Sequence, residues 1–538
     1  MNTSEFLMIA ASVVPDRIAM ICDGESRTFA QLQERVNRLA NALSASGGLG
    51  IGKGDKVAVM ALNSIPYVET YYACAKLGAV FVPLNYRAKK EELSYMANNS
   101  ETKVMFVGER YLELTAAIRT QFKTVQQFIC YDLPARRHGA HPGQTPARLG
   151  EGITSYEELL AAHEPEEIFT DVEDPDPTIV IYTSGTTAMP KGVVLTYLSM
   201  SVYVTNTMEP ANPETHDVTL LSVPIYHVAG ATAMLSSVWG GRTLVILPQF
   251  EPQAWLEAVR THSVTHSFIV PTMLKRTMEQ PEFEKYDLSS LKLIAYGAAP
   301  MPYEVVTKAV QVFNCGLMNA YGQTESTSTL TFLGPEDHHI PDASGEEREK
   351  KLQRLRSVGR AMEDVVVAIL DPQGEMLPSG QEGEIVAQGA RIMSGYLGLQ
   401  DETEEAMRGG WLHTGDVGWM DEDGYVYITG RTKDLIIRGG ENIAPGEIEA
   451  VLEQHPAVDE AAVIGVPDAE WGEEVKAVLV AKGGGQPSSE ELTAFVKQNL
   501  ASYKAPKYYA FVPELPKNYL GKLLKTDLRK QHGEAKDG

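Results

Sequence analysis

The densest chemistry in the chain lies in one run, Tyr182-Thr183-Ser184-Gly185-Thr186-Thr187-Ala188-Met189-Pro190-Lys191-Gly192. Two apolar segments of strand character, 178–181 and 193–195, flank it. Side-chain hydroxyls and turn N–H groups can donate to a polyphosphate, glycine lets backbone approach closely, and Lys191 supplies charge. The run is not the G-x-x-x-x-G-K-[ST] phosphate loop, because Gly192 follows the lysine and a strand, not a helix, comes next. The same residue types also build ordinary turns between strands, so composition alone leaves both readings open.

Further candidates lie downstream. The strand-like segment ending in Tyr296-Gly297-Ala298-Ala299-Pro300 closes on small residues, which admit a flat ring at the carboxyl end of a strand. In Asn319-Ala320-Tyr321-Gly322-Gln323-Thr324-Glu325, Tyr321 can stack on a base, Thr324 can donate to a phosphate and Glu325 offers a hard oxygen to Mg²⁺. Taken alone, this segment is equally a turn with a capping glutamate. Asp416, in Thr414-Gly415-Asp416, could accept both protons of a vicinal diol, although acidic turns such as Asp421–Gly424 are ordinary surface hairpins. Near the C-terminus Lys504, Lys507, Lys517, Lys522, Lys525 and Lys530 read as a solvated basic face, and spacing does not choose among them.

These residues must be positioned by alternating strands and helices. Apolar residues recur at helical spacing from Thr28 to Ser46 (Phe29, Leu32, Val36, Leu39, Leu43). Strands follow at Lys56–Leu62, Val80–Pro83, Val104–Val107 and Phe128–Tyr131, with helices near Pro66–Leu77 and Lys90–Asn98 between them. Such alternation predicts an α/β fold with parallel sheets. The glycines between Gly47 and Gly54 are read as a turn, since a dinucleotide fingerprint should follow a strand and open a helix. Residues 133–152 read as a surface loop. A polar insertion, 334–356, predicts a solvated helix with Glu347 paired to Lys351. His262 and His266 are four apart but lack the H-E-x-x-H glutamate, and are read as surface or core histidines.

With 538 residues the chain exceeds a single core, so two or three domains are expected. A formal net charge of −24 argues against non-specific nucleic-acid binding and against attraction to anionic membranes. Four dispersed cysteines without C-x-x-C spacing fit reduced thiols in a cytoplasmic protein, with no disulfide frame and no zinc site. The apolar run 6–14 lacks a basic flank and reads as a first helix, and no run is long enough for a membrane span.

The run 182–192, together with Tyr321-Gly322-Gln323-Thr324-Glu325, Gly383-Glu384, Gly395-Tyr396, Thr414-Gly415-Asp416, Gly430-Arg431 and Gly521-Lys522, resembles the signatures of the adenylate-forming superfamily. That superfamily includes acyl- and aryl-CoA ligases, luciferases and peptide-synthetase adenylation domains. The resemblance covers about residues 25–530, with the motifs in family order. The chain departs from the pattern at Ala188, where glycine is usual, at Tyr197, where histidine is common, and at Asn518-Tyr519-Leu520, where small hydroxyl residues are usual.

The resemblance implies an N-terminal domain (1–432) of doubly wound α/β subdomains plus a β-barrel-like subdomain, and a small mobile α+β C-terminal domain (433–538) that swings about Lys433. It implies that ATP is held by Thr183, Ser184, Gly185, Thr186, Thr187, Lys191, Gly297, Ala298, Ala299, Asn319, Ala320, Tyr321, Gly322, Thr324, Asp416, Arg431 and Lys522. Asp416 would take the ribose, and Glu325 and Thr186 would hold Mg²⁺. The catalytic set is Lys522, Lys191, Thr324 and Glu325. The acid pocket is Tyr226, His227, Val228, Gly230, Ala298 and Gly322, with Ala229, Gly230 and Ala231 leaving room for substrate. Arg438, Gly439, Gly440 and Glu441 form the thioester loop. The implied activity is an AMP-forming carboxylic acid–CoA ligase using Mg²⁺, ATP and CoA on an apolar acid, a medium- or long-chain fatty acid first and an aromatic or alicyclic acid second. The partners are small molecules, with no nucleic acid and a homodimer as the family habit. An adenylating enzyme that uses no CoA and a non-catalytic nucleotide- or acyl-binding protein are the competing readings.

Overall fold

The computed structural model describes residues 1–44, 46–131, 152–183, 189–340, 345–438, 441–468, 471–483, 485–518 and 522–536, and counts and absences refer to these. Most of the segment read as a surface loop, 133–152, lies outside them.

The expected alternation folds into two large mixed sheets. One has eight strands, of which Pro177–Thr183, Val80–Pro83, Lys56–Met60, Thr102–Gly108, Gln127–Tyr131 and Ile153–Ser155 run parallel. The strands Lys191–Thr196 and Gly395–Tyr396 add to its edge antiparallel. The other has nine strands around a parallel centre that includes Val218–Leu221, His266–Ile269, Leu293–Gly297 and Gly316–Tyr321. Val365–Leu370, Gly383–Gly389, Leu412–Met420 and Val426–Arg431 form a separate four-stranded antiparallel sheet, the element expected as barrel-like. A smaller C-terminal domain is built on Val458–Asp468, Gly472–Ala481 and Tyr508–Phe511 with the helices Pro445–Leu452 and Ser489–Asn499.

Local sequence explains the elements. The helix Phe29–Leu43 starts at Thr28, whose hydroxyl accepts from Gln31 N (3.2 Å) while the Gln31 side chain accepts from Thr28 N (2.9 Å), a reciprocal capping box. Its five periodic apolar residues are all fully buried. Burial of each contributes about 1.5–3 kcal/mol relative to exposure. Tyr197, the departure from family histidine, is buried at the first turn of the helix Tyr197–Thr207, and its hydroxyl donates to Ala75 O (3.3 Å).

The apolar clusters of the large domain end at Tyr427, and those of the small domain begin at Ile436. Among the described residues no apolar cluster spans the two, and ion pairs and close packing of the helix Pro445–Leu452 on the strand Val426–Arg431 join them. Lys275 pairs with Asp459 (3.2 Å) and Lys482 with Glu304 (3.3 Å). A Cβ on Gly446, in the helix Pro445–Leu452, would lie 2.4 Å from Thr429 O in the strand Val426–Arg431.

One expectation changes. The insertion does form a helix, Glu346–Arg354, but Lys351 donates to the carbonyls of His339 and Glu336 instead of pairing with Glu347. That helix is solvated as expected, but a separate short helix before it, Pro335–His338, packs inward: Asp337 and His338 are buried, Asp337 accepting from Tyr425 (2.8 Å) and His338 meeting the Tyr296 hydroxyl (2.8 Å). His262 ends a helix and His266 opens a strand, with Ser263 in the left-handed region between them, so their spacing does not put them on one helical face. No helix is long and apolar enough to cross a membrane.

Candidate active site

The strands Pro177–Thr183 and Lys191–Thr196 form an antiparallel hairpin in which Thr183 faces Lys191, setting both at the base of the phosphate-loop candidate. Ser184, Gly185, Thr186, Thr187 and Ala188 lie outside the described residues. The segment Met393–Leu397 is stapled to this hairpin: Ser394 N donates to Val194 O (3.1 Å), Leu397 N donates to Gly192 O (2.8 Å), and Tyr396 pairs with Val193. Lys191 therefore reaches the ring of Tyr396, its Nζ standing 5.1 Å from the ring centroid. The Tyr396 hydroxyl donates to Glu325 Oε1 (3.0 Å), and burial, followed by the Glu325 charge, pushes its pKa up so that it stays protonated.

The second wall comes from the adjacent parallel strands Leu293–Gly297 and Gly316–Tyr321, whose carboxyl ends lie at one edge. Gly297 has no room for a side chain, since a Cβ would fall 2.1 Å from Ala320 O. Ala298 adopts φ +64°, a conformation strained for a residue with a Cβ. A Cβ on Gly322 would fall 1.7 Å from Ser328 O, so the turn carrying Thr324 and Glu325 can close only with glycine there. Asn319 and Thr324 are buried, while Ala299 and Ala320 are half-buried beside them.

The four-stranded sheet supplies the third wall. Asp416 faces Arg431 across two antiparallel strands; Arg431 Nε donates to Asp416 Oδ1 (2.7 Å) and the Tyr321 hydroxyl to Oδ2 (2.8 Å). Each carboxylate oxygen has a second lone pair, so the acceptor capacity expected for a diol remains. Burial, then the Asp416 charge, pushes the Tyr321 phenol well up, and Tyr321 stays a donor. Glu384 positions this turn, accepting from Gly415 N (3.2 Å) and from His413 Nδ1 (2.8 Å).

Lys522 enters from the small domain. It is accessible within the cleft yet crowded by its walls, and this loss of water, then Arg431, push its pKa down to about 8; Lys433 acts in the same sense, while Asp416 and Glu325 act against it. Its chain segment is closed by Asn518, which accepts from Lys522 N on Oδ1 (2.9 Å) and donates its own N–H to Lys522 O (2.8 Å). Lys433 is exposed; burial of its ammonium end, then Arg431, lower its pKa. Arg438 is held elsewhere: it donates to Glu474 (2.6 Å) and lies 5.0 Å from the Trp471 ring centroid. Gly439, Gly440 and the side chain of Glu441 are outside the described residues.

At the acid-pocket candidate, Tyr226 is buried, its ring centroid 4.5 Å from that of His227 and 5.3 Å from that of Tyr86. Burial pushes His227 down to about 3, so it is neutral at pH 7. Val228, which opens the helix Val228–Trp239, is buried. The expectation that Gly230 and Ala231 leave space for substrate is corrected: a Cβ on Gly230 would meet Pro224 O at 2.1 Å, and Ala231 is fully buried. Their smallness lets the helix start pack against the preceding turn.

The structure thus brings Thr183, Lys191, Glu325, Tyr321, Asp416, Arg431 and Lys522 to one cleft and leaves Arg438 outside it. Tyr396 and Glu384 were visible in the sequence only as family pattern, and their strand register would have been needed to see their contacts. Glu325 fits a Mg²⁺ ligand: among the described residues its Oε2 takes part in no hydrogen bond or ion pair, and no cluster of three or more metal-binding side chains forms an all-protein cage. A Mg²⁺ ion characteristically takes one or two carboxylates and fills its remaining positions with phosphate and water.

Comparison with known proteins agrees with this arrangement. The model of the AMP-binding enzyme family matches residues 8–397, and that of the AMP-binding enzyme C-terminal domain matches residues 447–522. The chain is 33% identical to fatty acid–[acyl-carrier-protein] ligase ScoC of Streptomyces coeruleorubidus, over 96% of this chain and 93% of that protein. It is also 33% identical to a feruloyl-CoA synthase of Amycolatopsis sp, over 97% of each. Among solved structures, a Mycobacterium tuberculosis fatty acyl CoA synthetase superposes with a TM-score of 0.77 at 32% identity, covering 99% of each chain. With both family models matched in order and relatives aligned nearly end to end, this chain belongs to the AMP-binding enzyme family.

Proposed function

We propose that the chain is an ATP-dependent carboxylic acid–CoA ligase that activates an apolar acid through an acyl-adenylate. The observation that carries this reading is the position of Lys522, a small-domain lysine crowded out of water by the cleft and close enough to Arg431, Asp416 and Glu325 of the large domain to feel their charges. A lysine in that place can bridge two anions that must meet. In the first half-reaction the substrate carboxylate attacks the α-phosphate of ATP, and pyrophosphate leaves. Lys522 holds the carboxylate against the α-phosphate, Lys191 and the loop N–H groups neutralise the outer phosphates, and Asp416 with Arg431 fixes the ribose. Mg²⁺ bound through Glu325 and Thr186 would add charge neutralisation on the phosphates.

In the second half-reaction the CoA thiol attacks the acyl carbonyl, the thiol proton is lost to solvent or base, and AMP leaves. Different groups are needed at the same carbon, which is the reason to place a hinge at Lys433, between domains 1–432 and 433–538, and to assign Arg438-Gly439-Gly440-Glu441 to this step. The engagement of Arg438 with Glu474 and Trp471 supports the reading of the present arrangement as the adenylating one.

An apolar acyl tail is supported by the neutral His227 beside buried Tyr226 and Val228, which present no charge to a second carboxylate or an amine. Fatty acids come first and aromatic or alicyclic acids second, in keeping with relatives named for fatty-acid and feruloyl substrates. A relative named as a carrier-protein ligase favours a second reading, transfer of the acyl group to a carrier thiol.

The test is acid-dependent pyrophosphate release across aliphatic, aromatic and alicyclic acids, with and without CoA. Turnover that requires CoA and peaks at one chain length or ring type supports the ligase. Adenylation indifferent to CoA but discharged by a phosphopantetheinylated carrier supports the second reading, and silence across the panel overturns both.

A further inference from the structure

Lys191 and Glu325 carry opposite charges in one cleft, yet neither takes part in an ion pair among the described residues. Both instead meet a single side chain, Tyr396: the ammonium lies 5.1 Å from its ring centroid, and its hydroxyl donates 3.0 Å to Glu325 Oε1. Strand register produces the first contact. Tyr396 stands opposite Val193, which makes Lys191 its diagonal neighbour on the same face, a separation that an aromatic ring and a long lysine can span. The second follows from the backbone, because Met393 N donates to Glu325 O (2.8 Å) and ties the two segments together three residues earlier. Tyr396 is itself held by Thr403, whose Oγ1 accepts from Tyr396 N (2.9 Å).

We propose that Tyr396 is a positioning residue that keeps Lys191 and Glu325 from neutralising each other, so that Lys191 remains available to phosphate and Glu325 to a divalent cation. The proposal rests on the ATP-using reading above. A direct Lys191–Glu325 pair would have to be broken before the nucleotide and its cation could bind. The ring offers the lysine a weaker, cation–π contact that phosphate readily displaces, and the hydroxyl fixes one carboxylate oxygen while leaving the other free of protein partners.

The two contacts can be separated by substitution in the full-length protein, with ATP binding followed by titration calorimetry in the presence of Mg²⁺ or of EDTA. Tyr396→Phe keeps the ring and loses the hydroxyl. Metal-free ATP affinity should equal that of the wild type, while the gain in affinity on adding Mg²⁺ shrinks about tenfold, as expected for one charge-assisted hydrogen bond. Tyr396→Leu removes the ring, lets Lys191 reach Glu325, and should weaken metal-free ATP binding about tenfold. Adding Glu325→Gln to Tyr396→Leu should restore that metal-free affinity, which a merely structural role for Tyr396 would not do. A full Mg²⁺ gain in Tyr396→Phe, wild-type metal-free affinity in Tyr396→Leu, or no restoration in the double variant overturns the proposal and leaves the ligase reading standing. A wild-type protein that binds no ATP overturns both.

Discussion

The charge on Lys522 gives the sharpest test of the adenylation step. In its proposed role its ammonium must be protonated to bridge a carboxylate and the α-phosphate, and crowding by the cleft walls, then Arg431, push its pKa down to about 8. A protonated fraction of about nine in ten at pH 7 therefore falls to about one in ten at pH 9, tenfold in the ratio per pH unit. The sign follows: adenylation is supported below pH 8 and lost as pH rises through it. The limb belongs in kcat/KM for ATP, which reports the free enzyme. Bound triphosphate places negative charge beside the ammonium and raises its pKa, so the corresponding limb in kcat lies at higher pH.

Lys522→Arg keeps a cation that does not titrate in this range, and the limb should vanish even where the rate falls. Lys522→Ala should lose roughly 10²–10⁴ in adenylation rate, about 3–5 kcal/mol, while thioester formation from supplied acyl-AMP persists. The assay is continuous pyrophosphate release at constant ionic strength from about pH 6 to pH 10, with the thioester step followed in parallel. A limb at the same pH in the wild type and in Lys522→Arg would refute the reasoning, as would equal loss of both half-reactions in Lys522→Ala.

Other expectations follow from the same geometry. Asp416→Asn keeps the shape but removes the charge that Arg431 and Tyr321 share, and should raise KM for ATP about tenfold with little change in KM for the acid, measured by initial rates. Gly322→Ala forces a Cβ to within 1.7 Å of Ser328 O and should lower the melting temperature and abolish adenylation, whereas Gly47→Ala, with nothing within 4 Å, serves as a silent control in the same thermal scan. Reversing a cross-domain ion pair with Lys275→Glu should slow adenylation more than thioester formation, by up to about 1 kcal/mol and less at high salt; adding Asp459→Lys should recover it. Lys433→Pro should damage the thioester half-reaction far more than adenylation, and a variant unimpaired in thioester formation moves the hinge elsewhere.

Local pattern made the elements legible. The helix Phe29–Leu43 declared itself by spacing, and the hairpin around 182–192 by two apolar runs, because helical and strand periods are properties of neighbouring residues. Gly230 was misread because smallness reports only that space is scarce or needed, and the helix start packs Pro224 O where substrate was expected. Tyr396 was passed over as pattern because its meaning depends on a register between strands some 200 residues apart, Val194 and Gly395 being paired. The insertion 334–356 shows the same limit: charge spacing suggested the helix, but the carbonyls that Lys351 prefers, those of Glu336 and His339, belong to a separate short helix and its C-cap before it.

The break between the two sets of cores, at Tyr427 on one side and Ile436 on the other, bears on how such a chain can diversify. Among the described residues no apolar cluster spans the seam, which includes ion pairs and a close backbone approach at Gly446, so no shared core has to be re-fitted when one part is exchanged. On the proposed reading, the segment after Arg431 would be a transplantable cassette carrying the lysine chemistry, while the residues proposed to read the acid would stay behind. Selectivity and chemistry would then be inherited on separate pieces, and a hybrid of two relatives joined at that seam should keep the acid preference of its N-terminal parent.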